Sequence, residues 1–139
     1  MILLDTNVVS EPMRPAPELR VVDWIDAQPL ETLYLSAITV AELRAGVALL
    51  PRGKRRTALH EALEERVLPL FTDRVLPFDL ACTRAYAELR EKMRRTSRVI
   101  AAVDGYIAAI AATHGFAVAT RDTAPFAASG LQVIDPWSS

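Results

Sequence analysis

The chain has one cysteine, Cys82, among its 139 residues. A single thiol forms no internal disulfide and has no partner for a zinc cluster, so disulfide-stapled and zinc-finger classes drop out and a reducing cytoplasm is the expected setting. Cys82 itself reads as a small buried hydrophobe. Aromatic residues are sparse, at 6%, and sit among aliphatics, which argues against the stacking platform of a single-strand binding protein. Long apolar runs are missing too. Met1-Ile-Leu-Leu-Asp5 has no basic lead and meets a charge after three apolar residues, so it is read as neither a signal peptide nor a membrane span. Nor does either sign of charge dominate: 16 Lys and Arg against 17 Asp and Glu leave a net −1. That balance excludes the global basic excess of a DNA-coating protein but permits local patches. Two such runs exist, Arg52-Gly-Lys-Arg-Arg56 and Arg90, Lys92, Arg94, Arg95, Arg98; the solvated face of a helix is the commoner explanation of such a run.

What the chain does have is apolar content, 51% of its residues, enough for one sizeable core without staples, and a single domain over 1–139 is expected. Short apolar runs at Ile2 to Leu4, Leu33 to Leu35, Val75 and Leu76, Ala117 to Ala119 and Leu131 to Ile134 alternate with helical patterns near 18–27, 37–50, 55–67, 79–95 and 103–113. Strand and helix in alternation predict an α/β fold, a three-layer α/β/α sandwich around a five-stranded parallel sheet. Pro51, Pro69, Pro77 and Gly115 punctuate the segments. Glu11-Pro-Met-Arg-Pro-Ala-Pro17 reads as a proline-rich loop. In the helix near 37–50, Val40, Leu43, Val47 and Leu50 form a stripe suited to the core or to a subunit contact.

Four acids stand out. Asp5 follows the first strand, where open parallel sheets bind ligands, although Asp5-Thr6-Asn7 would equally make an Asx turn. Glu42 lies early in its helix: with Thr39 as cap it completes a capping box, whereas with Ser36 as cap it sits beyond the first turn and leans toward the strand ends. Asp104 shares a helical face with Ile100, Val103, Ile107 and Ala111, and an acid there must be protonated, paired or bound to a cation; the alternative is a helix cap at Asp104. Asp122 follows the fourth strand in Thr120-Arg-Asp-Thr123, where a turn or cap role is again open. Acids after strands one and four, beside a topological switch, with two more near helix starts on the same edge, form a pattern that chance would scatter. Oxygen donors without a nearby Cys or His pair specify a hard cation, Mg²⁺ or Mn²⁺, rather than zinc. His60 and His114 read as surface or helix-end residues.

Met1-Ile-Leu-Leu-Asp-Thr-Asn-Val-Val-Ser-Glu11, Leu35-Ser-Ala-Ile-Thr-Val-Ala-Glu-Leu-Arg44, Ala102-Val-Asp-Gly-Tyr-Ile-Ala-Ala109, Val118-Ala-Thr-Arg-Asp-Thr123 and Asp135-Pro-Trp137 together resemble the PIN-domain toxins of toxin-antitoxin pairs, in particular the VapC group and its FitB-like members. The resemblance covers essentially the whole chain. It implies that Asp5, Glu42, Asp104 and Asp122 match the family's acidic quartet, that Asn7 and Thr120 orient carboxylates, and that RNA is the substrate. One position departs from the pattern: many relatives place a further acid before the loop's phenylalanine, whereas here Pro125 precedes Phe126, which leaves Asp122 as the loop's acid. The expected activity is a metal-dependent endoribonuclease in which Asp5 and Asp104 hold the first ion and Glu42 and Asp122 act through water or a second ion, activating water for in-line attack and leaving a 5′-phosphate. Four carboxylates repel a polyanion, so a cationic rim is expected from Arg14, Arg44, Arg94, Arg95, Arg98 and Arg121. The resemblance further implies a homodimer and a cognate VapB- or FitA-like antitoxin lying along the active-site groove, with operator DNA bound only through that antitoxin. The rival readings are a receiver-like phosphoacceptor, which lacks an acidic pair after strand one and a lysine after the late strand, and a catalytically silent binding module.

Overall fold

The computed structural model describes residues 1–138; Ser139, the last residue of the expected domain, lies outside them. Strands β1 (Ile2–Leu4), β2 (Leu33–Ser36), β3 (Val75–Leu76), β4 (Ala117–Ala119) and β5 (Val133–Ile134) pair in parallel in the order β3-β2-β1-β4-β5. The last strand is shorter than the apolar run from Leu131 that announces it. Successive strand residues face opposite sides, so Leu3 and Val118 enter one apolar core while Leu4, Leu33, Leu35 and Ala119 enter another. Helices cover both faces. α1 (Thr6–Ser10), α2 (Leu19–Ala27), α3 (Ala37–Ala48) and the segment after it contribute Val8, Val21, Leu43 and Leu63 to the second core; α5 (Leu80–Arg95), α6 (Ala102–His114) and α7 (Thr123–Ala128) contribute Leu89, Ile107 and Phe126 to the first. Cys82 is fully buried there, as a small hydrophobe.

Local chemistry sets the helix ends. Ser36 caps α3, its hydroxyl accepting from the Thr39 amide at 3.0 Å, so of the two possible caps the earlier one is used. α6 ends at Gly115, whose left-handed φ of +68° closes a Schellman turn with the Phe116 amide donating to the Ala111 carbonyl. Most of the stripe is core: Leu43 and Val47 are buried with Val40 packed against that cluster, whereas Leu50 lies beyond the end of α3 and half-buried.

Three expectations need correcting. The helix expected over 55–67 is instead α4 (Lys54–Glu61), then a π turn (Ala62–Val67), then a 3-10 turn (Leu68–Phe71). Pro69 has no amide to donate and its ring would strike the Glu65 carbonyl of a regular α-helix, so the pitch changes before it. The proline-rich segment is a loop only in part: Glu11–Met13 forms a 3-10 turn with Pro12 in its first positions. Glu11 is buried, accepting from the Glu18 amide at 3.0 Å and from Arg14 at 3.2 Å. Val103, assigned to the apolar face of α6, is 37% exposed; the buried face runs from Gly105 through Ala111.

Candidate active site

The chain runs from β1 outward to β2 and β3 on one side and returns to β4 and β5 on the other, so the sheet order reverses between β1 and β4. In open α/β sheets the crevice beyond the carboxyl ends of such a pair is where ligands settle. Asp5 follows β1 and Thr120-Arg-Asp122 follows β4. The Asp5 amide donates to the Ala119 carbonyl at 2.9 Å, which fixes Asp5 at that edge.

Asp5 is almost wholly buried, at 3% exposure. One of its oxygens accepts from the Thr6 amide at 2.8 Å, capping α1, and the other accepts from the Thr120 hydroxyl at 2.8 Å. The turn role and the place in the acidic cluster are therefore both real. Burial raises its carboxyl above the ordinary 3.8, with the charges of Glu42 and Asp122 adding to the rise, against the lowering effect of the Thr120 and Thr6 hydrogen bonds. Glu42, one turn into α3, reaches back as its cap dictates, and its carboxylate accepts from the Thr6 hydroxyl at 2.5 Å. Asp104 occupies the first turn of α6, whose cap position is Ala101, so it is not itself the cap. Its carboxyl is pushed up to about 6, chiefly by burial and then by the negative charges of Asp5, Asp122 and Glu42. Asp122 stands at the cap position of α7 without a capping hydrogen bond. The Asn7 amide reaches its carboxylate at 3.4 Å, and Asp5 also at 3.4 Å. Thr120 accepts from the Asp122 amide at 3.0 Å, and Asn7 accepts from the Arg121 amide at 3.3 Å. Thr120 and Asn7 thus tie the β4 loop to Asp5.

Four acids from four segments influence one another electrostatically, and among the described residues none forms an ion pair with Lys, Arg or His. As the side chains stand, no group of three acids, histidines or cysteines among the described residues is close enough to hold an ion. Like charges hold carboxylates apart. The donor set is all oxygen and anionic, which matches a hard divalent cation.

The structure sorts the six expected rim arginines. Arg14 pairs with Glu11 at 3.2 Å, Arg44 with Glu64 at 2.9 Å and Arg95 with Glu91 at 3.1 Å. The Arg121 guanidinium lies over the Trp137 ring, 5.3 Å from its centroid. Among the described residues, only Arg94 and Arg98 of the six have no ion-pair or aromatic partner. His60 and His114 are exposed near helix ends. Sequence reasoning missed two features. One is the reach of Thr6, read only as part of the turn after Asp5, whose hydroxyl links α1 to Glu42. The other is an aromatic group that sequence distance conceals: Tyr86 and Tyr106 stack at 4.9 Å, with Phe78 5.1 Å from Tyr106.

The family model of the PIN domain matches residues 2–130. The chain belongs to the PIN-domain family. It is 62% identical to plasmid stability protein StbB of Pseudomonas syringae pv. tomato over 139 residues, the whole of both chains. It is 58% identical to VapC ribonuclease Y4jK of Sinorhizobium fredii over 99% of this chain and 98% of that one. Toxin FitB of Neisseria gonorrhoeae is 57% identical over 99% of each. Among solved structures, FitAB bound to an IR36 DNA fragment superposes with a TM-score of 0.96 at 55% identity, covering 99% of this chain and 96% of that one. Within the PIN-domain family the chain therefore sits with the VapC and FitB toxins, and the expected three-layer sandwich is the fold of its relatives. No helix among the described residues is long and apolar enough to cross a membrane.

Proposed function

We propose that this chain is a divalent-metal-dependent endoribonuclease toxin, with Asp5, Glu42, Asp104 and Asp122 as its metal-holding acids and Mg²⁺ or Mn²⁺ as the ion. The observation that carries the reading is the gathering of four acids from four segments at the β1/β4 edge with no cationic side chain paired to any of them. Burying one uncompensated carboxylate costs several kcal/mol, so the cluster calls for a counter-ion from outside the chain. Likeness to a VapC ribonuclease and to toxin FitB supports RNA as the substrate.

When bound, such an ion makes water a better nucleophile and offsets charge on the phosphodiester. The chain's own residues do the positioning. Thr120 and the Thr6 amide each hold one oxygen of Asp5, the Thr6 hydroxyl steers Glu42, and Asn7 bridges Asp5 to Asp122. A proton on Asp104 would oppose cation binding, so activity should rise as pH passes about 6. No histidine base is required, and hydrolysis without the ribose hydroxyl leaves a 5′-phosphate.

A groove of about 670 Å³ runs from Thr6 and Glu42 along α3 to Arg55, with Leu43, Val47 and Leu59 in its wall. It suits the tail of a cognate VapB- or FitA-like antitoxin, through which operator DNA would be bound, and the likeness to FitAB in its DNA-bound complex supports such a partner. A homodimer in the cytoplasm completes the proposal. The deciding test uses purified chain free of antitoxin with a mixed RNA substrate. Cleavage in Mg²⁺, none in EDTA and none with Asp104→Asn is expected; equal RNA turnover in all three rules the mechanism out, and no turnover in any leaves a silent binding module.

A further inference from the structure

We infer that Arg90, Arg94 and Arg98 form a phosphate-binding shelf for the RNA backbone beside the acidic cluster, gripping phosphates other than the one cleaved. This rests on the ribonuclease reading above and deepens it. The three arginines line one depression of about 510 Å³ at the end of α5, together with Met93, Val99 and Ile100. Arg90 and Arg94 are one helical turn apart on the same face, and Arg98 follows the end of the helix.

Each neighbour leaves the shelf its charge. Glu91 also borders the depression, but its carboxylate is engaged by Arg95 at 3.1 Å. Arg94 and Arg98 have no carboxylate partner among the described residues. Arg90 donates to the Tyr86 hydroxyl at 2.9 Å and lies 5.8 Å from the centre of that ring, so a neutral aromatic fixes its guanidinium without cancelling it. Arginines stacked at i and i+4 repel one another; an anion across both removes the repulsion.

Backbone geometry turns Arg98 onto this side. Ser97 closes the Schellman turn of α5 with a left-handed φ of 53°, a position that glycine occupies at least strain. The Arg98 amide donates to the Met93 carbonyl at 2.7 Å. The residue in that place commonly makes an apolar contact with the helix, but here it is arginine, and Val99 beyond it is 88% exposed. Ile100, the inner wall, comes within 3.9 Å of the position a side chain on Gly105 would take, next to Asp104. The inner wall of the shelf therefore abuts the first turn of α6, which carries Asp104. A strand with one phosphate at the acids would lay its next ones on the arginines, whose forked, permanently charged heads match phosphate oxygens.

The test measures binding of a 20-nucleotide single-stranded RNA in EDTA across a salt series, so that no hydrolysis intervenes. Releasing counterions from about two phosphates contributes roughly 1.4 to the slope of log affinity against log salt, worth about 25-fold in Kd at 0.1 M salt. Arg94→Ala/Arg98→Ala should lose that slope and affinity, the corresponding Lys pair should keep most of the slope, and Arg84→Ala, an exposed arginine of α5 outside the depression, should keep all of it. All three side chains are exposed, and thermal melting confirms that the variants are folded. An unchanged slope in the double Ala variant overturns the shelf, as does an equal loss of binding to poly-glutamate, which would assign these arginines to an acidic protein. Wild-type cleavage in Mg²⁺ is scored separately: its absence removes the nuclease reading while the salt slopes still judge the shelf.

Discussion

Replacing Asp104 by Asn removes one charge from the acidic cluster with almost no change of shape, and its effect on the ion-free chain follows from the geometry. Burial, then Asp5, Asp122 and Glu42, push the Asp104 carboxyl from 3.8 to about 6. The folded chain thus holds this proton more tightly than the unfolded chain does. The contribution of Asp104 to stability is most favourable below about pH 4, declines as pH rises through the window between those two values, and stays at its lower level above pH 6. A shift of that size is worth roughly 3 kcal/mol at most. Asp104 is partly open to solvent, and screening reduces the effect to about 1–2 kcal/mol. Urea denaturation in EDTA at pH 5.0 and 7.5 measures it. Asp104→Asn should exceed wild type by about 1–2 kcal/mol at pH 7.5 and by about half as much at pH 5.0. Adding Mg²⁺ should then reverse the ranking, because wild type gains stability by mass action and the variant gains little. If the variant is no more stable than wild type at pH 7.5, or if Mg²⁺ stabilises both alike, the case for an uncompensated acid at 104 fails.

Three further outcomes are expected. Thr120→Val leaves a buried oxygen of Asp5 without its donor, and should cost about 1–3 kcal/mol by urea denaturation while weakening Mg²⁺ binding in calorimetry; a neutral result would show that Thr120 does not hold Asp5. Ser97→Gly relieves the left-handed backbone at the end of α5 and should raise stability by about 1 kcal/mol, visible as a higher melting temperature; a lower one would mean that the serine side chain is itself needed. Ile107→Ala opens a cavity in the core between the sheet and α6 and should destabilise by about 2–5 kcal/mol, so denaturation within 1 kcal/mol of wild type would contradict that packing.

The sheet was legible because each strand is a short apolar run bounded by turn residues, and its order was half legible because acids after strands one and four already mark a reversal. The helices that sequence reading missed are the short ones. α1 has five residues and α7 six, too few to show a period; Val8, Val9 and Phe126 hold them to the cores. For Asp5 the two readings were not rivals, since one carboxylate caps α1 and faces the other acids. The cap of α3 could not be chosen locally, because Ser36 and Thr39 both qualify until β2 is seen to run up to Ser36. The rim was least legible. Arg44 finds Glu64 twenty residues away, and Arg121 finds Trp137; which arginines stay free depends on how distant segments pack. Arg90, held by Tyr86 beside Arg94 and Arg98, was visible only as part of a charge run.

The double duty of Asp5 bears on how an inert form of this protein should be made for crystallising complexes or raising antibodies. Removing Asp5 would undo a helix cap and strand the Thr120 hydroxyl as well as the acidic cluster, so a loss of partner binding could reflect a damaged scaffold. Asp104 has no hydrogen bond to the scaffold among those described, and its neutral amide relieves repulsion. If the four acids hold the ion as proposed, position 104 is the place to disarm the molecule while keeping its surface intact.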